Sequence, residues 1–225
     1  MEEKYYNAYD KRYRQVHEKN ISWSSNNNTK IISKLIDKYD IKKDDSILEM
    51  GCGEGRDSKF LLDNGYNLLA TDVSVEAINY CKKKDYPHVD NYEVLDVLNC
   101  GNFTNKFKFI YSVACLHMLV LQADRNKYFK FIYEHLEDNA VAVILSMGDG
   151  VEESSSDISK AWVNSKRTHQ ETGEEMDIVT TSCKIVSFDT LFKEAKNNNL
   201  NIIEYGLTEV IPDFPQIMYI VVKRW

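Results

Sequence analysis

A glycine cluster between an apolar run and a helical segment constrains the fold of this chain more than any other feature. The apolar run covers residues 46–50, and the cluster that follows has Gly51, Gly53 and Gly55 at alternate positions. The segment 58–62 then has the apolar pattern of a helix. Glycine in such a turn adopts backbone conformations that other residues avoid and lets the backbone approach a ligand closely. The order strand, glycine turn, helix is typical of open parallel sheets, which bind ligands at the carboxyl ends of their strands.

Strands and helices continue to alternate up to residue 146. Hydrophobic patterns predict strands at 66–72, 92–94, 107–113 and 140–146, and helices at 31–39, 75–84 and 125–136. Such alternation predicts an α/β fold with a doubly wound, mostly parallel sheet that has helices on both faces. The 107–113 segment lacks two-residue alternation, which is expected of a central strand buried on both sides.

The pattern changes after residue 146. We expect a polar insertion, a hairpin over about 167–186 with its turn near 172–174, a helix at 190–197 and two closing strands at 201–210 and 217–223. His169 is placed on the surface of the hairpin, and Pro212 and Pro215 mark the loop between the closing strands. If those strands pair antiparallel, the result is a seven-stranded, Rossmann-like sheet whose last strand is antiparallel.

Composition limits the class of protein. The 225 residues are 43% hydrophobic, which suits one well-filled core and a single domain over 1–225. Lys and Arg number 28 against 35 Asp and Glu, so the net charge of −7 disfavours nucleic acid as a partner. Acids stand where a signal peptide would be basic, and no apolar span suits a membrane, so we expect a cytoplasmic protein. The five cysteines form no C-x-x-C pair, and no metal site is predicted.

Charge indicates which ligand the glycine cluster holds. The dinucleotide motif requires glycine at position 56, where this chain has Arg56. Carboxylates also follow three successive strands, as Glu49, Asp72 and Asp96. They would repel a pyrophosphate, whereas S-adenosylmethionine offers a sulfonium, an ammonium, a ribose diol and an adenine amino group. Asp72 also lies at the distance from the cluster where an acid reaches ribose hydroxyls.

These motifs resemble those of the class I S-adenosylmethionine-dependent methyltransferases. The resemblance covers about 44–146, through the segments at 47–57, 70–74, 95–97 and 110–113. It implies that the loop glycines contact the methionyl part of the cofactor, that Asp72 holds the ribose, that Asp96 meets the adenine amino group and that Ser112 lies beside the transferred methyl group. The cofactor-binding set that we predict further includes Tyr13, Trp23, Glu49, Arg56, Val73, Val97 and Val113.

A looser similarity connects the chain with small-molecule methyltransferases of the tellurite- and thiopurine-resistance type. It is found in the Gly-Arg-Asp sequence at 55–57 and in the aromatic stretch from residue 9 to Trp23. We therefore divide the domain into an N-terminal arm (1–30), a cofactor-binding half (31–146), an insertion on the acceptor side (147–188) and a closing helix with two strands (189–225). The arm and the insertion are expected to select the acceptor.

Individual residues near the expected methyl group allow two interpretations each. His117, after the fourth strand, is either a base that deprotonates the acceptor or a loop histidine bonded to the backbone. Cys115 has no cationic neighbour in the sequence, which favours packing over a nucleophilic role. Tyr13, His17 and Trp23 either close over the cofactor and shape the acceptor pocket, since aromatic faces stabilise cations such as a sulfonium, or simply pack the arm.

The predicted reaction is in-line displacement from an activated carbon, for which alignment and exclusion of water are the main requirements. The acceptor is expected to be a small molecule with a thiol, metalloid or chalcogen, amine or hydroxyl group, and the protein a monomer or homodimer. Three alternatives remain: a nucleic-acid or protein methyltransferase, a non-catalytic S-adenosylmethionine-binding protein and an NAD-dependent dehydrogenase.

Overall fold

The computed structural model describes residues 4–23, 27–168, 173, 175–209 and 217–225. His169, the flanking positions of the predicted hairpin turn at 172 and 174, and the loop with Pro212 and Pro215 lie outside these ranges. Helices of the described chain are α1 (Ala8–His17), α2 (Lys30–Lys38), α3 (Arg56–Asp63), α4 (Val75–Lys84), α5 (Gln122–His135) and α6 (Phe188–Asn197).

Seven strands form the main sheet: β1 (Ile47–Met50), β2 (Leu68–Asp72), β3 (Tyr92–Val94), β4 (Phe107–Val113), β5 (Leu136–Met147), β10 (Leu200–Thr208) and β11 (Ile217–Arg224). Two small pairs lie apart from it, β6 (Ser154–Ser155) with β9 (Lys184–Ile185), and β7 (Asn164–Thr168) with β8 (Glu175–Val179). The main order is β10-β11-β5-β4-β1-β2-β3. Among the described strands of this sheet, β11 runs in the direction opposite to the other six, and it therefore pairs antiparallel with both β10 and β5. The predicted fold class is confirmed.

The order of the strands reverses beside β1, which pairs with β2 on one side and β4 on the other. Crevices for ligands form at such a switch point, outside the carboxyl ends of the strands. β4 shows why the centre of the sheet is so apolar. Phe109 and Tyr111 enter one core layer and Ile110 the opposite layer, and all three are buried. The expectation of a strand covered on both faces is confirmed.

A glycine caps the end of α3. Gly65 has a φ of 80°, and the following amide of Tyr66 donates to the carbonyl of Leu61 over 3.1 Å. This left-handed end stops the helix and redirects the chain into β2.

Several element boundaries differ from the predictions, and the two largest differences have identifiable contacts. β5 begins at Leu136 rather than 140, but its pairing with β4 is interrupted until Val141 by a bulge in which Asn139 has a φ of 60°. The hairpin ends at Val179 rather than 186, because the Ser182 hydroxyl donates to the carbonyl of Met118 over 2.7 Å and draws the chain towards the sheet. The next strand then pairs with β6.

The arm lies outside the sheet, where α1 contacts both α4 and β8. Ala8 and Val16 are its fully buried apolar residues, and Val16 packs with Met176 and Ile178 of β8. None of the helices in the described ranges combines the length and the apolar character needed to cross a membrane.

Candidate active site

The glycine loop is attached to the end of β2 and exposes bare backbone. The amides of Gly51 and Cys52 both donate to the carbonyl of Thr71, over 2.8 and 2.9 Å. Gly51 and Gly53 have φ values of 74° and 55°, and a Cβ at Gly51 would stand 2.8 Å from Sγ of Cys115. A side chain here would be strained and would also collide with a neighbouring side chain, so the cluster needs glycine at these positions.

Asp72 joins the second strand to this loop. Its Oδ2 accepts a hydrogen bond of 2.9 Å from the Gly53 amide, and its Oδ1 accepts one of 2.8 Å from the Ser74 amide. The residue is 8% exposed, and burial raises the pKa of its carboxyl group. Both recorded bonds come from backbone amides, so each oxygen keeps a free lone pair for a ligand hydroxyl.

Asp96 lies at the same edge and is covered by the start of the arm. The Lys4 ammonium is 2.6 Å from its Oδ2, and the Tyr6 hydroxyl donates to the same oxygen over 3.1 Å. Burial alone would raise the pKa of Asp96, but hydrogen bonds from Lys4 and Asn99 hold it below its ordinary value. The third acid of the predicted set is therefore a carboxylate with a cationic partner.

Glu49 is oriented differently from the other two acids. It is 2% exposed, and Oε2 accepts hydrogen bonds from the hydroxyls of Tyr111, over 2.8 Å, and Ser58. Burial, with Asp57 nearby, raises the pKa of Glu49 to about 8. Its recorded bonds therefore tie β1 to α3 and β4.

Arg56 follows the loop and has one donor without a partner. Its Nη2 donates to Oγ1 of Thr29 over 2.7 Å and to Oδ2 of Asp57 over 2.9 Å. Its Nε is buried and finds no hydrogen-bond acceptor in the described part of the chain. A buried, unused donor is costly, so this nitrogen is a candidate contact for an acceptor group of a ligand.

The remaining predicted cofactor residues follow the strand ends. Val73, Val97 and Val113 are half-buried and offer apolar surface there. Ser112 is buried, and its hydroxyl is hydrogen-bonded to the hydroxyl of Tyr128 on α5. The recorded contact of the Ser112 side chain is thus with the helix layer, while its backbone lies near the end of β4.

After β4 the chain makes a tight turn that carries Cys115 and His117. Ala114 has a φ of 54°, which is unusual for a residue with a Cβ and is found where surrounding structure imposes it. Arg125 of α5 fixes the turn, since its Nη1 donates to the carbonyls of Leu116 and Leu119 over 3.0 and 3.1 Å.

Arg125 is itself held by a buried ion pair between two helices. Its Nε and Nη2 donate to the two carboxylate oxygens of Glu194 on α6, each over 2.6 Å. Such bidentate geometry fixes the guanidinium group as well as neutralising it. The position of His117 therefore depends on contacts from α5 and α6.

His117 is 6% exposed, and its Nδ1 is buried without a hydrogen-bond partner among the described residues. Burial, and then the charge of Arg125, lower the pKa of His117 to about 3, so the imidazole is neutral near pH 7. Burial raises the pKa of the Cys115 thiol to about 12, with a contribution from Asp72. A thiol that stays protonated supports the interpretation of Cys115 as a packing residue rather than a nucleophile.

The arm closes over the loop through residues that the sequence patterns did not single out as bonding groups. Oδ1 of Asp10 accepts from the Ser74 hydroxyl over 2.8 Å and from the Glu76 amide over 2.9 Å, at the beginning of α4. Nε2 of His17 lies 2.8 Å from Oε1 of Glu54 in the glycine loop, and its Nδ1 lies 3.1 Å from Oε1 of Glu76. The position of His17 in the arm indicates which face of the helix it occupies. The groups that it bonds depend on how α1 docks.

The two aromatic residues predicted to bind the cofactor lie where the arm covers the glycine loop. The Tyr13 hydroxyl would be 2.7 Å from a Cβ at Gly53, which places it directly over the loop. The ring of Trp23 is 5.1 Å from Cζ of Arg12, and its amide donates to Oε1 of Glu54 over 2.7 Å. The structure thus brings Tyr13 to the predicted cofactor surface and Trp23 to the adjacent rim.

A separate polar cluster was not expected from the sequence. Asp63, Asp85 and His88 bring ligand-type atoms within 4.8 Å of one another. The Lys59 ammonium lies between the acids, 2.9 Å from Asp63 and 3.4 Å from Asp85. A bound cation would compete with this ammonium, so the cluster is explained by its internal ion pairs.

Comparison with known proteins finds a family model that matches the part of the chain that carries the glycine loop. Residues 47–139 match the family model described as a methyltransferase domain. No curated protein matches the sequence significantly.

Solved structures with the same fold cover nearly the whole chain. An S-adenosylmethionine-dependent methyltransferase from Clostridium acetobutylicum ATCC 824 superposes with a TM-score of 0.66 at 18% identity, over 97% of this chain and 98% of that one. A TehB-like S-adenosylmethionine-dependent methyltransferase from Corynebacterium glutamicum gives 0.59 at 17% identity, over 98% of each chain. The glycopeptide N-methyltransferase MtfA, complexed with S-adenosylmethionine, gives 0.62 at 13% identity, over 88% and 95%. Residues 47–139 are therefore similar to a methyltransferase domain, and the chain as a whole has the fold of the class I S-adenosylmethionine-dependent methyltransferases.

Proposed function

We propose that this protein transfers the methyl group of S-adenosylmethionine to a small-molecule acceptor. The observation that carries the proposal is the Asp72 carboxylate, held at the switch point against the bare backbone of Gly53. The match of residues 47–139 to a methyltransferase domain supports the reaction class, and the complex of MtfA with S-adenosylmethionine supports the cofactor.

The residues around the loop fit this cofactor by shape and charge. Asp72 has lone pairs for the ribose hydroxyls, and Asp96 would accept from the adenine amino group. The unused Nε of Arg56 suits the carboxylate of the methionyl part. A Cβ at Gly51 or Gly53 would collide with a neighbouring side chain. Glycine at both positions is consistent with a loop that contacts the cofactor through its backbone. When bound, the cofactor supplies a methyl group already activated by its sulfonium.

The surroundings of His117 bear on the kind of acceptor. General bases work best when their pKa is near the working pH, and the pKa of His117 is lowered to about 3. A base this weak removes few protons from a hydroxyl group. The site therefore favours an acceptor that arrives without its proton, such as a thiolate or a neutral amine. The neutral imidazole of His117 is the candidate group that donates a hydrogen bond to a thiolate or accepts one from an amine.

The arm has two tasks in this proposal. Lys4 and Tyr6 bond the carboxylate that would meet the adenine, so their contacts with Asp96 must be exchanged or shared when the cofactor enters. Tyr13 then covers the loop and helps to exclude water from the methyl group. Together with the insertion, whose Ser182 bonds the turn that carries His117, the arm would shape the acceptor pocket.

The test is a transfer assay with the cofactor labelled on its methyl group. Thiols, amines, hydroxylated aromatics and metalloid oxyanions are incubated in parallel with tRNA, duplex DNA and an unrelated protein. We expect label in at least one small-molecule fraction, lost in Asp72→Asn and kept in Asp44→Asn, a matched exposed control. Label found only in nucleic acid or protein would contradict the proposal, and so would binding of the cofactor with no transfer to any acceptor.

A further inference from the structure

Arg12 is a buried cation with no acidic partner in the described ranges. It is 6% exposed, and its Nε and Nη2 donate to a single acceptor, the carbonyl of Val179, over 3.2 and 3.0 Å. No ion pair joins it to a carboxylate of the described residues. Buried charges are normally paired, because the lost hydration of the ion is otherwise uncompensated.

Fixing α1 to β8 does not explain the charge. The contact uses one carbonyl oxygen, and Gln15 already bonds the same residue by accepting from the Val179 amide over 2.8 Å. A neutral donor could serve that carbonyl with a smaller desolvation cost. The flat fork of Nε and Nη2, which would match two oxygens of a carboxylate, currently faces only one.

The surroundings of Arg12 hold the guanidinium ready for a planar anion. Tyr9 and Trp23 place their rings 5.1 Å from its Cζ, so aromatic faces replace part of its hydration. Burial lowers the pKa of Arg12, and the positive charge of Arg167 on β7 adds to this effect. Two arginines of like charge, with no acid between them in the described chain, favour a ligand that is negatively charged.

This cation lies on the acceptor side of the proposed site. The ring of Tyr9 neighbours that of Tyr13, with centroids 6.0 Å apart, and Tyr13 stands over the glycine loop. Burial raises the pKa of Tyr9, and the thiols of Cys183 and Cys115 are close enough to add to the rise. Tyr9 therefore connects Arg12 with the insertion and with the turn after β4, which are the two segments expected to surround the acceptor.

We propose that Arg12 binds a carboxylate of the methyl acceptor, so that the substrate is a carboxylate-bearing small molecule. This inference rests on the proposed function and adds its substrate class. The acids Asp72 and Asp96 attract the cationic cofactor to one side of the arm, and Arg12 with Arg167 attracts an anionic acceptor to the other. A carboxylate seated on Arg12 would be kept away from the acids and would orient the acceptor towards the methyl group.

Binding of matched acids and amides tests the inference independently of catalysis. The probes are 3-mercaptobenzoate, 3-mercaptobenzamide and the corresponding aryl phosphonate, titrated in the presence of S-adenosylhomocysteine. Trp23 fluorescence in the Trp162→Phe/Trp225→Phe background reports occupancy beside Arg12. We expect the carboxylate to bind about tenfold more tightly than the amide, as a charged hydrogen-bonded pair implies. Equal affinities in the wild-type protein would overturn the inference, and tighter binding of the phosphonate would overturn the choice of carboxylate.

Variants then assign the preference to this residue. Arg12→Gln should reduce the preference to about twofold or less, and the control Lys11→Gln, an exposed cation one position away, should leave it unchanged. Arg12→Lys, which keeps the charge, should retain part of the preference and covers the case in which Arg12→Gln does not fold. A full preference in folded Arg12→Gln would contradict the proposal. Absence of labelled product with every acceptor would count against the proposed function instead, because these titrations do not depend on turnover.

Discussion

Three acids that each come at the end of a strand have three different environments. Asp72 is bonded by backbone amides, Asp96 is paired with Lys4, and Glu49 is bonded by hydroxyls beneath the loop. The pKa of Asp96 falls below its ordinary value, while burial raises the pKa of the other two. The sequence shows which residues are acidic and which strand each one follows. It does not show how each side chain rotates after the strand ends, and that rotation decides its partners.

His117 leads to a prediction about stability. Its pKa is lowered to about 3 in the folded protein, so between that value and about 6.5, the ordinary pKa, the unfolded chain binds a proton that the folded chain does not. The free energy of unfolding should therefore fall as the pH decreases through this window, by up to about 1.4 kcal/mol per pH unit from this residue. Urea denaturation from pH 4.5 to 8 measures the slope.

His117→Gln should remove this part of the slope. Met118→Leu, a neighbouring buried substitution without a titrating group, should change the stability and keep the wild-type slope. Parallel curves for the wild-type protein and His117→Gln would show that the imidazole is not held in its neutral form by the fold.

At the level of elements, α1 joins parts of the protein that the sheet does not connect. Asp10 and His17 bond it to α4 and the glycine loop, while Arg12 and Gln15 bond it to β8. Val16 packs against β8, but the helix has only ten residues, so these hydrogen bonds contribute to its docking together with that apolar contact. Weakening those hydrogen bonds should therefore make the cofactor surface more accessible.

The docking of α1 should weaken at high pH. Both ring nitrogens of His17 face carboxylate oxygens, so both can donate only when the imidazole is protonated. Burial would lower the pKa of His17, but the hydrogen bonds to Glu54 and Glu76 raise it above 6.5. The stabilisation is therefore complete below pH 6.5 and is lost as the pH rises through the raised pKa.

Hydrogen exchange of the α1 amides measures this effect. At pH 6, His17→Gln should exchange roughly fivefold faster than the wild-type protein, which corresponds to about 1 kcal/mol for a partly exposed ion pair. The difference should shrink at pH 9, and Glu18→Gln should behave like the wild-type protein at both values. A difference that persists unchanged at pH 9 would mean that the charge of His17 does not hold the arm.

The whole molecule shows which features local sequence can predict. The predicted bounds of 75–84, 92–94 and 107–113 coincide with α4, β3 and β4. Helical spacing marks the first segment, and the third is a mainly apolar run, as expected of a buried central strand. The parallel sheet followed from alternation alone. The end of the hairpin at Val179 and the pairing of β9 with β6 were not predicted, because they depend on tertiary contacts such as the Ser182 bond to the turn after β4.

The same distinction applies to the site. The loop glycines and Asp72 were predictable because backbone geometry and chain order fix where they meet. The partners of Arg12 and His17 were not, since they are set only when α1 docks between the glycine loop and β8. A single sequence shows that the arm is aromatic and charged, but the pairing of those charges is a property of the assembled fold.

The central claim is that this sheet edge holds S-adenosylmethionine through Asp72, and calorimetry tests it most directly. The wild-type protein is titrated with S-adenosylmethionine and with NAD, and the first titration is repeated with Asp72→Ala and with the exposed control Asp44→Asn. We predict one binding event with S-adenosylmethionine, none with NAD, and a loss of about 100-fold in affinity for Asp72→Ala, as expected when hydrogen bonds to a charged acceptor are removed. Unchanged affinity in folded Asp72→Ala, or preferential binding of NAD, would contradict the account.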